Sequence, residues 1–304
     1  MKTKAKYFIT IGTFDGVHAG HRFLLAQLEK LAANYRLKPL ALYFPLPPKT
    51  LMSCKPEMTV LTLPKEKKLL LKQCGTPAQA LDFATCRQLT AEQFFTQVLC
   101  KKLNAGGVLV GSDFAFGKDR QAGAQWLQER CEKAGLLFAT TRFYKTGTQK
   151  ISSSLLRKIL ASGDIERANQ LLGRPYEVTG KVVKGQQLGR KLGFPTANLH
   201  TGIYKVLPLG VFAVKVRVGR QVYDGFCNIG FRPTVNFIYG KLPLVEVHIF
   251  DFDKNIYGRD ITVWFVQKLR NEIKFDTLPE LVAQLKKDRT QAKKVMRRFT
   301  FPIV

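Results

Sequence analysis

The hydrophobic period of this chain changes once, near residue 173, and no other feature of the 304 residues limits the fold as strongly. Before that point short apolar runs alternate with stretches of helical spacing. Tyr7–Ile11 and Gly107–Val110 read as buried strands, Leu37–Phe44 and Leu137–Phe143 as further strands, and His21–Ala33, Leu63–Gln73, Ala91–Leu103 and Ala124–Ala134 as helices. Strands separated by helices predict an α/β domain with a mostly parallel, doubly wound sheet, which binds ligands at the carboxyl ends of its strands. Ser153–Ala161 and Asp164–Leu172 read as two short helices, the second capped by Asp164 and ended by Gly173. Beyond them the period falls to two. Tyr176–Val183, Val211–Val218, Val222–Ile229, Leu244–Phe252 and Ile261–Leu269 are strand-like runs rich in Val, Ile and aromatics, so a mainly antiparallel β-barrel or sandwich is expected, followed by a helix over Pro279–Arg298. The chain is therefore divided into domains at 1–172 and 173–304.

Charge and cysteine usage narrow the class of protein without naming a partner. The 49 Lys and Arg against 22 Asp and Glu give a formal +27, a field that attracts polyanions. The excess is spread evenly, 26 basic against 12 acidic residues in 1–172 and 23 against 10 beyond, so it is no basic tail on a neutral body. The run KKDRTQAKKVMRR in the last helix reads as a solvated face. No strand interleaves stacking aromatics with basic residues, so nucleic acid is not the expected partner. No run reaches the ~18 apolar residues of a membrane span, and the opening residues lack an apolar leader, which predicts a cytoplasmic chain without a membrane partner. The six cysteines show no CxxC pairing and read as reduced and mostly buried.

The chemistry begins with GTFDGVHAGH, residues 12–21, set between the first strand and the first helix. His18 and His21 fall three apart where that helix starts, beside unpaired N–H groups and a positive dipole end, which suits a phosphate. Gly12, Gly16 and Gly20 allow backbone to approach a ligand closely. HAGH fits the HxGH signature of the nucleotidyltransferase superfamily, and the longer GTFDGVHAGH resembles the form used by bacterial FAD synthetases. The resemblance implies a Rossmann-like nucleotidyltransferase domain in which Gly12, Thr13, Phe14, Asp15, Gly16, His18 and His21 meet the phosphates of ATP. It also implies direct attack of the FMN phosphate on the α phosphorus, with no covalent intermediate.

Two later segments extend the resemblance. GSDFAFGKDRQAG, residues 111–123, is similar to the family's GxDFxFGxxxxG loop and implies that Asp113, Phe114 and Phe116 shape the flavin region. ISSSLLR, residues 151–157, is similar to the superfamily's second phosphate signature. There Ser152, Ser153 and Ser154 can cap a helix and offer donors, and Arg157 one turn later can pair with phosphate oxygens. After the second strand the family usually carries a TFEPHP-like stretch, whereas this chain has YFPLPP, residues 43–48, with no acid, amide or imidazole.

The second half opens with GQQLGRKLGFPTANL, residues 185–199. Gly185, Gly189 and Gly193 make a flexible loop whose Arg190 can meet phosphate. Thr196 and Asn198, two apart on an extended segment, project hard oxygens to one side, which suits Mg²⁺. The segment resembles the riboflavin kinase PTAN signature, and NIGFRPT (228–234), LVEVHIFDFDKNIYG (244–258) and KLRNEIKFDTLPELVAQLKKD (268–288) continue the match. In the alternating strand Glu246 and His248 share a face, and a carboxylate can accept the proton of an attacking hydroxyl. The resemblance assigns Glu246 as base for the ribityl hydroxyl of riboflavin, with Thr196 and Asn198 as metal ligands. It also places Arg270 beside the flavin, while His248 is read as supporting structure.

The resemblance covers nearly the whole chain. It implies two Mg²⁺-dependent reactions with ATP, riboflavin to FMN in the C-terminal barrel and FMN to FAD in the N-terminal domain, on small-molecule substrates in a monomer or weak oligomer. YFPLPP motivates one alternative, a riboflavin kinase with a degenerate first domain. The net charge motivates another, a nucleic-acid-binding or flavin-responsive regulator on the same fold.

Overall fold

The computed structural model describes residues 6–54, 59–141, 145–146, 149–231 and 243–299. Contacts divide the chain into two compact units, residues 1–55 with 62–153 and residues 56–61 with 154–304. In the first unit, strands β1 (Tyr7–Gly12), β2 (Lys38–Tyr43), β3 (Ala78–Ala80), β4 (Ala105–Gly111) and β5 (Leu137–Thr141) form a parallel sheet in the order β3-β2-β1-β4-β5. Helices α1 (Ala19–Asn34), α2 (Pro64–Gln73) and α3 (Ala124–Lys133) connect them. The sheet is covered on both faces: Ile9 and Ile11 pack with Leu127 and Cys131 of α3, while Phe8 packs with Leu28 and Ala32 of α1. The chain winds outward from β1 to β3 and then returns to lay β4 on the other side of β1. The order therefore reverses between β1 and β4, the place where such sheets open a ligand crevice.

Two details differ from the expectation. The edge strand β3 was not anticipated, because AQA is three residues long and carries no apolar alternation. The expected α-helix at 91–103 is wound as a π-helix over Phe94–Lys102, with the Leu103 N–H donating five residues back to the Val98 carbonyl at 3.0 Å. Residues 142–143 of the expected strand Leu137–Phe143 lie outside the described residues, as do residues 232–234 of NIGFRPT.

In the second unit, β6 (Tyr176–Val183), β7 (Ala197–His200), β8 (Gly210–Val218), β9 (Gln221–Gly230), β10 (Leu244–Ile249) and β11 (Asp260–Arg270) close into an antiparallel barrel in the order β6-β7-β10-β9-β8-β11. Phe212, Cys227, Val245 and Val247 alternate with residues that point to the opposite face and are fully or almost fully buried. On that opposite face Val211, Ala213, Phe226, Phe250 and Val266 pack against Ala292 and Met296 of α6 (Leu278–Arg298). Helices α4 (Ser153–Ala161) and α5 (Ile165–Leu172) precede the barrel. Asp164 caps α5 by accepting from the Arg167 N–H at 3.1 Å, and Gly173 ends it at φ 67°, a left-handed turn that suits glycine. The sequence division falls after these helices, but the contacts divide before them. Asn169 of α5 explains why: its side chain donates to the Phe265 carbonyl at 2.8 Å and accepts from the Tyr176 N–H at 2.7 Å.

All six cysteines are free, but the expectation that most are buried fails. Cys131 and Cys227 are buried, Cys74, Cys86 and Cys100 only partly so, and Cys54 is exposed.

Candidate active sites

In the first unit the candidate site is built on the loop after β1. His18 is the N-cap of α1; its Nδ1 accepts from the His21 N–H at 3.3 Å, and the two rings stack at 3.7 Å between centroids. That bond fixes Nδ1 as an acceptor, so a neutral His18 carries its proton on Nε2. The loop itself is strained, with Phe14 at φ 47° and Val17 at φ 40° in the left-handed region. Such strain persists only where surrounding structure over-determines it. Phe14 is buried among Leu25, Ala41, Tyr43 and Leu70. The Asp15 carboxylate accepts from the Thr62 N–H at 3.1 Å and the Thr62 hydroxyl at 3.2 Å, and the Gly16 N–H donates to Thr62 Oγ1 at 3.0 Å. The side chains of Phe14 and Asp15 thus face inward and shape the loop. Gly12 lets the Phe14 ring close over it, since a Cβ there would lie 3.0 Å from that ring.

Ser153 joins the same loop, donating from Oγ to the Asp15 carbonyl at 2.8 Å. Ser154 accepts from Arg157 at 3.4 Å within α4, and Ser152 lies just before that helix. After β4, Asp113 is exposed and ion-paired with Lys150 at 2.8 Å. Phe114 and Phe116 stack at 5.4 Å, and Phe116 also packs on Phe94 and Trp126. These two rings form a half-buried apolar platform beyond the carboxyl end of β4.

In the second unit a cavity of about 320 Å³ gathers Thr196, Asn198, Glu246 and Arg270 with two residues the sequence reading missed, Asn228 and Asp288. Glu246 sits on β10 opposite Asn198 of β7 on one side and opposite Asn228 of β9 on the other. Directly opposed residues share a face with Cβ atoms ~4.5–5.5 Å apart, so a carboxylate is flanked by two amides. Arg270 is held by a bidentate pair with Asp288 of α6, at 2.9 and 2.7 Å, and Gln284 donates to the same carboxylate at 2.9 Å. Glu272 also lines the cavity, its carboxyl pushed above the usual range mainly by burial. His248 is buried among Phe194, Phe226 and Phe250 and bonds through Nδ1 to the Pro195 carbonyl at 2.8 Å, which ties β10 to the segment carrying Thr196.

The glycine loop that leads into β7 is set by close approach. A Cβ on Gly185 would lie 2.4 Å from the Asn198 amide, and one on Gly189 would lie 2.3 Å from the Phe194 carbonyl. Gly193 turns at φ 80°. Arg190 stands exposed on the short helix Leu188–Lys191 and does not line the cavity. Thr196 and Asn198 offer neutral oxygens only, and among the described residues no cluster of three or more His, Cys, Asp or Glu could cage a metal. That donor chemistry fits Mg²⁺ that arrives with nucleotide phosphates and keeps most of its other ligands.

The family models described as FAD synthetase and riboflavin kinase match residues 1–155 and 172–296. The bifunctional riboflavin kinase/FMN adenylyltransferase of Haemophilus influenzae is 38% identical over 94% of this chain and 92% of its own length, and that of Escherichia coli K12 is 37% identical over 94% and 91%. A crystal structure described as a macrolide-efflux protein from Streptococcus pneumoniae superposes with a TM-score of 0.83 at 30% identity, covering 96% of this chain and 95% of that one. Two site-bearing units in one chain, each matched by its own family model and both spanned by these relatives, place the protein in the family of bifunctional riboflavin kinase/FMN adenylyltransferases.

Proposed function

We propose that the cavity on the barrel phosphorylates riboflavin to FMN with release of ADP, and that the β1–β4 crevice adenylylates FMN to FAD with release of pyrophosphate. The observation that carries the first assignment is Glu246 between Asn198 and Asn228. A carboxylate so placed can accept the proton of the ribityl hydroxyl as it attacks the γ phosphorus of ATP. Phosphoryl transfer leaves little covalent work for protein groups, so positioning and charge neutralisation supply most of the acceleration. Thr196 and Asn198 would hold Mg²⁺, which neutralises charge on the nucleotide phosphates. Gly185, Gly189 and Gly193 let the loop close over those phosphates, with Arg190 exposed at its edge, and Arg270 lies beside the flavin.

In the crevice, His18 and His21 meet the ATP phosphates at the start of α1, where the helix dipole favours negative charge. Ser152 and Ser153 add donors, and the Phe114–Phe116 platform with Asp113 takes the flavin. Adenylyl transfer is assigned within residues 1–172 and the kinase within 173–304, in a cytoplasmic enzyme that uses Mg²⁺ with ATP at both sites. The alternative of a degenerate first domain rested on YFPLPP alone, whereas the loop after β1 keeps every element of its phosphate motif.

The test is a pair of incubations with ATP and Mg²⁺, one given riboflavin and one given FMN. Wild type makes FMN from the first and FAD from the second. Glu246→Gln loses the first reaction and keeps the second, and equal loss of both would reject separate sites.

A further inference from the structure

Lys67 is fully buried, yet it has no place in the phosphate motifs and none in the apolar pattern of α2. Its Nζ donates to two main-chain carbonyls, Thr13 in the loop after β1 and Phe44 in the loop after β2, each at 2.8 Å. The first loop carries the histidines, and the second is YFPLPP. The approach to α2 is itself fixed on the first loop through Thr62, which bonds Asp15 and Gly16. Glu66 then closes the first turn by accepting from the Leu63 N–H at 2.9 Å. Lys67 therefore projects from a turn that is locked at both ends.

A buried ammonium is costly to keep where an apolar side chain of like volume would pack. Burial pulls Lys67 down to about 8, against the opposing charge of Asp15. At neutral pH the group still carries its proton, so its three donors bind carbonyls more strongly than a neutral amide would. We propose that Lys67 is a positioning residue of the adenylyl-transfer site, holding the loops after β1 and β2 at a fixed separation by clamping the Thr13 and Phe44 carbonyls on one ammonium. Because the clamp grips main chain, it does not depend on which side chains the second loop carries. YFPLPP can thus lack acid, amide and imidazole while the loop keeps its place. This inference rests on the assignment of His18 and His21 to the ATP phosphates.

The test compares FAD formation from supplied FMN in Lys67→Met, Lys67→Arg and His18→Ala, with rates taken per folded molecule and riboflavin phosphorylation followed in the same samples. Lys67→Met should lower kcat for FAD formation at least tenfold, with riboflavin phosphorylation unchanged. Lys67→Arg, which can still donate to both carbonyls, should recover part of that loss. A Met variant within twofold of wild type, or one more active than Arg, overturns the proposal, because a purely structural role favours the apolar side chain. If Met does not fold, Lys67→Gln takes its place under the same tenfold threshold. Undiminished FAD formation in His18→Ala would instead overturn the phosphate assignment on which the inference stands.

Discussion

Asn228 faces Glu246 directly across the β9–β10 ladder, and both line the same cavity. An amide beside the base can hold the carboxylate or the attacking hydroxyl in line. Its removal forfeits one hydrogen bond, ~0.5–1.5 kcal/mol net and more beside a charge. Asn228→Ala should therefore lower kcat/KM for riboflavin phosphorylation by about 10-fold. FAD formation from supplied FMN should stay at the wild-type rate, and steady-state assays of the two reactions decide it.

The Arg270–Asp288 pair makes a different prediction, because Asp288 is almost fully buried and lies 18 positions along the chain from its partner. Removing one member of a buried pair leaves the other charge uncompensated, at a cost of ~3–5 kcal/mol. Asp288→Asn keeps the shape and loses the charge. It should weaken riboflavin binding, read by flavin fluorescence, and also lower the unfolding midpoint of the barrel. Unchanged binding would mean that Arg270 needs no anchor.

Gly189 tests the loop ahead of Thr196. A Cβ there would sit 2.3 Å from the Phe194 carbonyl, which is backbone and cannot swing aside. Gly189→Ala should displace the Gly185–Gly193 loop and cut riboflavin phosphorylation by about 10-fold or more, as misplaced groups commonly do. Adenylyl transfer is the control and should not change.

These sites were legible in the sequence to unequal degrees, and the reason is physical. Local pattern carried most of the strands and helices and the residues at strand ends, because period and capping act within a few positions. Glu246 and Asn198 were legible through alternation, which sets the face a side chain takes. Asn228 was quoted within NIGFRPT but not singled out, since only strand pairing puts it opposite Glu246. Lys67 gave no signal at all: a lysine in PKEKKLLLKQ looks like any solvent-facing cation until α2 docks on the two loops. Phe14 and Asp15 were legible as part of the motif, but the direction their side chains take was not. Their inward turn follows from a left-handed φ at Phe14 and from Thr62, 47 positions downstream of Asp15.

His248 gives the barrel a pH dependence of known sign. The Pro195 carbonyl can only accept, so Nδ1 of His248 carries the proton in that 2.8 Å bond. Burial, the dominant cause, holds the imidazole below its ordinary 6.5; the Pro195 bond and Asp251 oppose the shift and Arg289 adds to it. In the unfolded chain the same ring protonates near 6.5. Between that value and the lower folded one, the unfolded state therefore binds more protons, so stability falls as pH drops through this window and levels off beneath it. Denaturant unfolding followed through Trp264, in a Trp126→Phe background, should show this loss in wild type. His248→Gln removes the titrating group, and the difference in unfolding free energy between the two proteins should then slope with pH only below about 6.5. A difference that is flat across pH 5–8 would mean that the buried ring is protonated as readily in the barrel as in the unfolded chain.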